Sequence, residues 1–488
     1  MLRRRLKLYT YHTFLTVPFI VLFLFVHNLE ISRVEMTYRT LFYGTLLCIL
    51  LYALTQTVYR NRLKTGVFVT ILLFFLFQYG VVYEGLESLY YQGIWPFRNI
   101  HRYLLLIYLI CSIGLFLFIL KSAYDFVRIN YFLNALLIIL LLTNLGKLLL
   151  GSYETFAESE GQNPTPQPAV VFSKQSPRPD IYYILLDGYA SDAVLRKYYH
   201  FENTAFRKRL SELGFLFVDS AIANYYYTSP SLASTLNFTF LNDSSNRTKL
   251  IRGNRLFRIL RQNGYSIYHT KSGYAVSNHF NEANEVIRIE GPNEFEKSIL
   301  KFTILRLDDL IGLFAHQRLQ SQFKKMYELV QKPARPKFCF LHVVAPHPPY
   351  VFDRQGKLRT KHRFAENSWE PKNYYTDQLV YVNSQIQSYV STIRKKDPKA
   401  IIILQSDHGP WINAKRGEYV FEARSGILYA YYSEHPLNIP SKTSSVNTFP
   451  LLLNSLFDCK LSLLQNASAG KTELLRDPVF LKKIQQNR

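Results

Sequence analysis

The run DIYYILLDG, residues 180–188, decides how the second half of this 488-residue chain folds. Its apolar and aromatic residues follow one another without the alternation of a half-exposed strand. That predicts a strand buried on both faces, as in a parallel sheet covered by helices. Similar runs recur as FLFVDSAI (215–222), GYSIYHT (264–270), KFCFLHVV (337–344), AIIILQSDHG (400–409) and GILYAYY (426–432), with helix-like stretches such as NRLFRILRQNG (254–264) and NSQIQSYVSTIRKK (383–396) among them. The alternation predicts an α/β domain over 180–458 with a largely parallel sheet and helices on both faces, followed by a C-terminal tail over 459–488. Ligands of such sheets gather beyond the carboxyl ends of the strands.

Working back from Asp180, residues 152–179 are rich in Pro and polar residues and read as an extended linker. Before it, 1–151 reads as a membrane region of five helices. Stretches 9–27, 38–58, 65–83, 103–120 and 131–150 are each long and apolar enough to cross a bilayer, which takes about 20 residues. Arg3, Arg4, Arg5, Lys7, Arg60, Arg62, Lys64, Lys121 and Arg128 fall on one side of these spans, against Arg33, Arg39, Arg98 and Arg102 on the other. By the positive-inside rule the N-terminus is cytoplasmic, and an odd number of spans delivers the α/β domain outside. No small-residue cleavage site follows Val26, so the first stretch reads as an uncleaved anchor.

The net charge of +23 is spread over both parts, with 14 Lys and Arg against 5 Asp and Glu up to Leu150 and 44 against 30 after it. Beside a membrane the anionic partner such a balance selects is the lipid phosphate layer, and no nucleic-acid motif competes. The four cysteines, Cys48, Cys111, Cys339 and Cys459, imply neither a disulfide framework nor a CxxC metal site.

Four polar clusters carry the candidate chemistry. Asp187 ends the first buried strand and suits a hard metal ligand, although an Asp–Gly turn needs no metal. In NYYYTSPSLAS (224–234), Pro230 is placed early in a helix with Thr228 or Ser229 as its cap. A hydroxyl there faces exposed N–H groups that stabilise an anion, and it equally suits a plain cap. Asp407-His408-Gly409 follows a buried strand and can bring an oxygen and an imidazole to one cation. In LHVVAPHPPY (341–350), His347 could protonate a leaving oxygen or grip a phosphate, with His342 behind it. The spans themselves lack a convincing series of buried ionisable residues for a transport path, which weakens the reading of a non-catalytic membrane ligand-binding protein or transporter.

Taken in order, these motifs resemble the sulfatase-like branch of the alkaline phosphatase superfamily, including lipoteichoic acid synthases and lipid A phosphoethanolamine transferases. The resemblance implies five spans with an external catalytic domain, Asp187 as the early acidic metal ligand, Thr228 as nucleophile and metal ligand, Asp407 with His408 as the late metal pair, and His347 as a substrate-binding histidine. The string Thr228-Ser-Pro-Ser231-Leu232 overlays the sulfatase signature Cys-x-Pro-Ser-Arg with threonine in the place of cysteine. Threonine cannot give formylglycine, so the resemblance implies phosphoryl rather than sulfate-ester chemistry. Where the transferases usually carry another histidine after their DHG motif, this chain has Lys415, Arg416 and Arg424, and a basic residue stands to bind the phosphate instead, with His342 and Asn224 as further substrate contacts. One divalent ion is implied, zinc by its imidazole ligand, manganese or magnesium by its oxygens. The expected activity is transfer of a phosphoethanolamine or phosphoglycerol head group from a membrane phospholipid to a glycan or lipid acceptor, through a phosphothreonine, at the outer face of a bacterial cytoplasmic membrane. The alternative is a phosphodiester or phosphomonoester hydrolase of the same superfamily.

Overall fold

The computed structural model describes residues 9–29, 32–91, 94, 100–161, 169–305, 308–359, 369–412 and 417–476, and its chain divides into two compact units. The first is Met1–Gln167 together with Pro292–Leu310, and the second is Pro168–Gly291 with Ile311–Arg488.

In the first unit, four segments are long and apolar enough to cross a membrane: Val34–Tyr59, Arg62–Glu87, Ile100–Lys121 and Val127–Leu150. The apolar helix Tyr11–His27 is shorter at 17 residues, and its rise of about 25 Å falls just short of a hydrocarbon core. It is knitted to its neighbours by buried polar groups. The His12 ring sits 2.6 Å from Thr70 Oγ1 and 3.1 Å from Asn130 Oδ1, and the His12 backbone N–H donates to Asn134 Oδ1. Such bonds add specificity where lipid and side chains are equally apolar. The last helix runs on from Val127 to Gly161, into the stretch expected to be linker from Ser152. The segment SYETFAESE offers no Pro to stop it.

Part of the sequence expected to lie in the α/β domain folds with these helices instead. Helix Glu294–Phe302 opens on a capping box between Asn293 and Glu296. Its apolar residues bring Phe295 into the helical core, with Ile299 and Phe302 against it, while Arg39 pairs with Glu296 at 2.7 Å and Asn293 Nδ2 donates to the Met36 carbonyl. Gly80 is required for this approach, since a Cβ there would meet the Lys301 carbonyl at 2.2 Å.

The second unit is built on one sheet: β1 Ile181–Leu186, β2 Leu216–Phe217, β3 Ser266–Thr270, β4 Glu285–Ile287, β5 Lys337–Val343, β6 Ile401–Gln405 and β7 Tyr429–Tyr432. Their spatial order is β2-β7-β6-β1-β5-β3-β4. The pairs from β6 to β4 are parallel, while β7 runs antiparallel to β6 and the two-residue β2, back in the common direction, pairs antiparallel with β7 at the edge. Both faces of β1 are covered. Tyr182, Ile184 and Leu186 join the core that includes Tyr375, Leu379 and Tyr389 of helix Lys372–Lys396, while Tyr183 packs on Phe340 and on Phe449 of helix Thr448–Phe457. The expected tail turns back onto the domain through residue 476. The Leu464 and Ala469 N–H groups donate to Asn447 Oδ1 and the Asn224 carbonyl, and Arg247 pairs with Glu473.

Candidate metal centre and nucleophile

Three chain turns bring the site together at the carboxyl ends of the central strands. Asp187 leaves β1 and is followed by Gly188 in the left-handed region at φ +71°, where a Cβ would strike Trp369 at 2.6 Å. Asp407 and His408 leave β6. Gly409 then lets the chain pass so close to helix Gly417–Ser425 that a Cβ would lie 1.9 Å from the Ala423 carbonyl. Thr228 opens helix Thr228–Asn237, with extended Tyr227 as its N-cap. Neither Thr228 nor Ser229 is the cap itself, because the chain enters the helix one residue earlier than Pro230 suggested.

Single donor atoms of Asp187, Asp407 and His408, all buried, lie within 4.8 Å of one another. His408 Nε2 is 3.7 Å from Asp187 Oδ1 and 3.5 Å from Asp407 Oδ2. Thr228 Oγ1 joins them, 3.5 Å from Asp187 Oδ2 and 3.3 Å from His408 Nε2. These spacings are long for hydrogen bonds and match the separation of about 3.3 Å between neighbouring ligands of one tetrahedral ion. Asp407 Oδ1 is held by the backbone N–H groups of Gly188 and His408, at 3.1 and 2.9 Å. Its other oxygen, Oδ2, has no hydrogen-bond partner, nor has Asp187 Oδ1, and both are buried. Buried anionic oxygens left over in this way fit a divalent cation.

The His408 imidazole is neutral near pH 7, lowered to about 4 by burial and by Arg424, which is the form a metal requires. Burial alone would raise the Asp187 pKa. His347, with His342 and His408, outweighs that and holds it well below the usual carboxylate range.

His342 near the end of β5 and His347 in the loop after it both reach the site. His342 Nε2 lies 3.6 Å from Asp187 Oδ2, with Nδ1 2.8 Å from Ser277 Oγ. His347 donates its backbone N–H to the Asp187 carbonyl, its Nδ1 donates to the Pro348 carbonyl at 2.7 Å, and its ring centre stands 6.2 Å from that of His408. The other nitrogen, Nε2, is thereby the one left for proton exchange. Asn224 is engaged elsewhere. Its amide bonds Ser231, Thr235 and Tyr225, so it braces the nucleophile helix from within rather than meeting a substrate. Arg424 is buried beside the site and Arg416 lies outside the described residues. The sequence reading missed two contributors. Ser231 Oγ donates to the Asp407 carbonyl at 2.8 Å, tying helix to metal loop, and Ser277 orients His342. Ser231 at least stood in the quoted string; nothing local singles out Ser277.

A family model described as Sulfatase matches residues 179–438. No curated protein matches the chain. Among solved structures, the C-terminal periplasmic domain of EcEptC from Escherichia coli, in complex with Zn, is similar at 12% identity over 60% of this chain and 86% of that one, with TM-score 0.44. The integral membrane lipooligosaccharide phosphoethanolamine transferase A from Neisseria meningitidis is similar at 11% identity over 92% of this chain and 95% of that one, with TM-score 0.42. The lipoteichoic acid synthase LtaP from Listeria monocytogenes is similar at 11% identity over 57% of this chain and 72% of that one, with TM-score 0.39.

Proposed function

The chain belongs to the sulfatase family, and from that premise we propose that it is a membrane-anchored, metal-dependent phosphotransferase that uses Thr228 as its nucleophile. The observation that carries this reading is the placement of Thr228 Oγ1 within 3.5 Å of donor atoms of both Asp187 and His408 at a helix start. Asp187, Asp407 and His408 would hold a divalent cation, which supplies charge to lower the cost of deprotonating the hydroxyl and to neutralise phosphoryl oxygens. Two carboxylates, one imidazole and one hydroxyl suit zinc or manganese, with zinc favoured by the imidazole.

With His347 carrying a proton on Nε2 as well as Nδ1, Thr228 Oγ1 gives its own proton to water and attacks phosphorus, its bond to phosphorus forms, and the bond from phosphorus to the lipid alcohol breaks. His347 Nε2 gives the departing oxygen its proton, and the first N–H groups of helix Thr228–Asn237 face the developing charge. An acceptor hydroxyl then attacks phosphorus and gives its proton to His347 Nε2, while the bond from phosphorus to Thr228 Oγ1 breaks and that oxygen takes a proton back from water. A threonine in the nucleophile position supports phosphoryl over sulfate-ester chemistry. The apolar helices support a lipid donor, because a hydrolase of soluble esters gains little from them. Phosphatidylethanolamine or phosphatidylglycerol is the donor and a glycan or lipid the acceptor. The positive-inside distribution puts the site outside a bacterial cytoplasmic membrane.

The test is release of diacylglycerol from labelled phosphatidylglycerol and phosphatidylethanolamine by the full-length protein with zinc or manganese, comparing wild type with Thr228→Ala. Metal-dependent release that vanishes in the variant is expected, and the preferred lipid names the head group. Release that survives Thr228→Ala, or no release from either lipid with any metal, overturns the reading.

A further inference from the structure

Arg424 stands among the basic residues after the DHG motif, where a phosphate contact was expected. Its guanidinium is committed to the backbone instead. Nη1 donates to the Gly409 carbonyl at 2.8 Å, and the Gly409 N–H donates back to the Arg424 carbonyl at 2.8 Å, a reciprocal pair that locks the two residues. Nη2 donates to the Tyr226 carbonyl, two residues before Thr228. The head group is enclosed at 5.7–5.8 Å by the rings of Tyr227, Trp369 and Trp411, which hold a cation by their faces and keep water away.

The Gly409 carbonyl serves a second donor. His408 Nδ1 lies 2.9 Å from it, and because a carbonyl only accepts, that nitrogen carries the proton. The lone pair is therefore on Nε2, the atom that faces Asp187, Asp407 and Thr228. A histidine ligand depends on such an outer partner for tautomer and ring angle. Here the partner is a peptide group, and a peptide group can itself rotate. The guanidinium fixes it.

We propose that Arg424 is a positioning residue that aims the His408 lone pair through the Gly409 carbonyl and, through the Tyr226 carbonyl, holds the start of the nucleophile helix to the same point. One side chain thus sets both the metal loop and the nucleophile. The inference deepens the proposed function but rests on bonds within the chain, and its first readout needs no substrate.

That readout is zinc affinity of the full-length protein, measured by competition with a chromophoric chelator, for wild type, Arg424→Lys and Arg424→Gln. Glutamine should weaken zinc about 10- to 100-fold, the range seen when outer partners of ligating histidines are lost. Lysine, which reaches one carbonyl but not both, should fall between, and millimolar guanidinium should recover part of the glutamine loss. With a turned-over lipid donor, kcat should fall while KM stays within about threefold. Zinc affinity within about twofold of wild type in a folded variant overturns the proposal, as does a rise in KM with zinc affinity unchanged, which would make Arg424 a substrate contact. Should Arg424→Gln fail to fold, the lysine variant carries the same comparison. Absence of turnover in wild type would count against the proposed reaction, and the zinc titration would still decide the role of Arg424.

Discussion

Strand β1 begins after one buried aspartate and ends on another, and its two ends are treated in opposite ways. Asp180 lies 2.5 Å from Arg335 and 3.8 Å from Lys337, whose Nζ also donates to the carbonyls of Leu329, Val330 and Lys332. Asp180 Oδ2 also lacks a conventional hydrogen bond, but a guanidinium and an ammonium face it. Burial still pushes Asp180 up to about 6, against the pull of Arg335. Asp187, seven residues beyond, meets imidazoles and an oxygen-rich corner, and Oδ1 is left without a hydrogen bond. The same residue type at the two ends of one strand faces arginine and lysine at one end and imidazoles with a second carboxylate at the other. Buried unsatisfied anionic oxygens are costly, and Asp187 Oδ1 and Asp407 Oδ2, which lie together without a hydrogen bond, fit a cation between them.

Several changes would break or sharpen that contrast. Thr228→Ala should lower turnover by at least about 10³-fold while shifting the melting midpoint only slightly, since it deletes the proposed nucleophile and a single buried methyl. Stripping metal with a chelator should cost the fold about 3–4 kcal/mol at metal concentrations 100–1,000 times Kd, seen as a lower melting midpoint that zinc restores. In metal-free protein, pH tests buried imidazoles on both sides of the comparison. His269 and His408 are each lowered to about 4 by burial, so the unfolded chain, with histidines near 6.5, takes the proton first. Their contribution is present above pH 6.5 and lost as pH falls through 6.5 toward 4, roughly 3 kcal/mol each, and His269→Gln should flatten the melting profile in that window. Arg335→Ala should destabilise the domain by about 2 kcal/mol in urea titrations and leave zinc affinity unchanged. Asp187→Asn should reverse that pattern. Zinc binding is lost, because a carboxylate oxygen has been taken from the metal corner.

What the sequence made legible follows the same division. Buried strands such as IYYILL and AIIILQ announce themselves by unbroken apolar runs, and the polar residues that end them, Asp187, Asp407 and His408, were readable because strand ends have a defined role in parallel sheets. Thr228 was readable through Pro230, though its place one residue inside the helix was not, since extended Tyr227 serves as cap without a side-chain bond. The partners of these residues left no local mark. Ser277 meets His342 from 65 residues away, and Asn224 turned inward because its amide found Ser231 and Thr235 on the helix it precedes. Arg424 looked like a phosphate contact because charge is visible in a sequence and a backbone carbonyl 15 residues distant is not. Residues 294–302 were placed within the α/β domain by sequence, since periodicity shows that a face is apolar and not what covers it.

That helix has a practical consequence for anyone wishing to separate the halves of the protein. The chain passes between its two units at 167/168, at 291/292 and at 310/311, so a protease nick in the linker leaves the two halves joined by an apolar hook seated among the helices. A shed fragment beginning at Pro168 would carry Phe295, Ile299 and Phe302 out into water and should clump or cling to detergent. Replacing residues 292–310 by a short glycine-serine bridge is the surgery that would yield a cleanly soluble catalytic half.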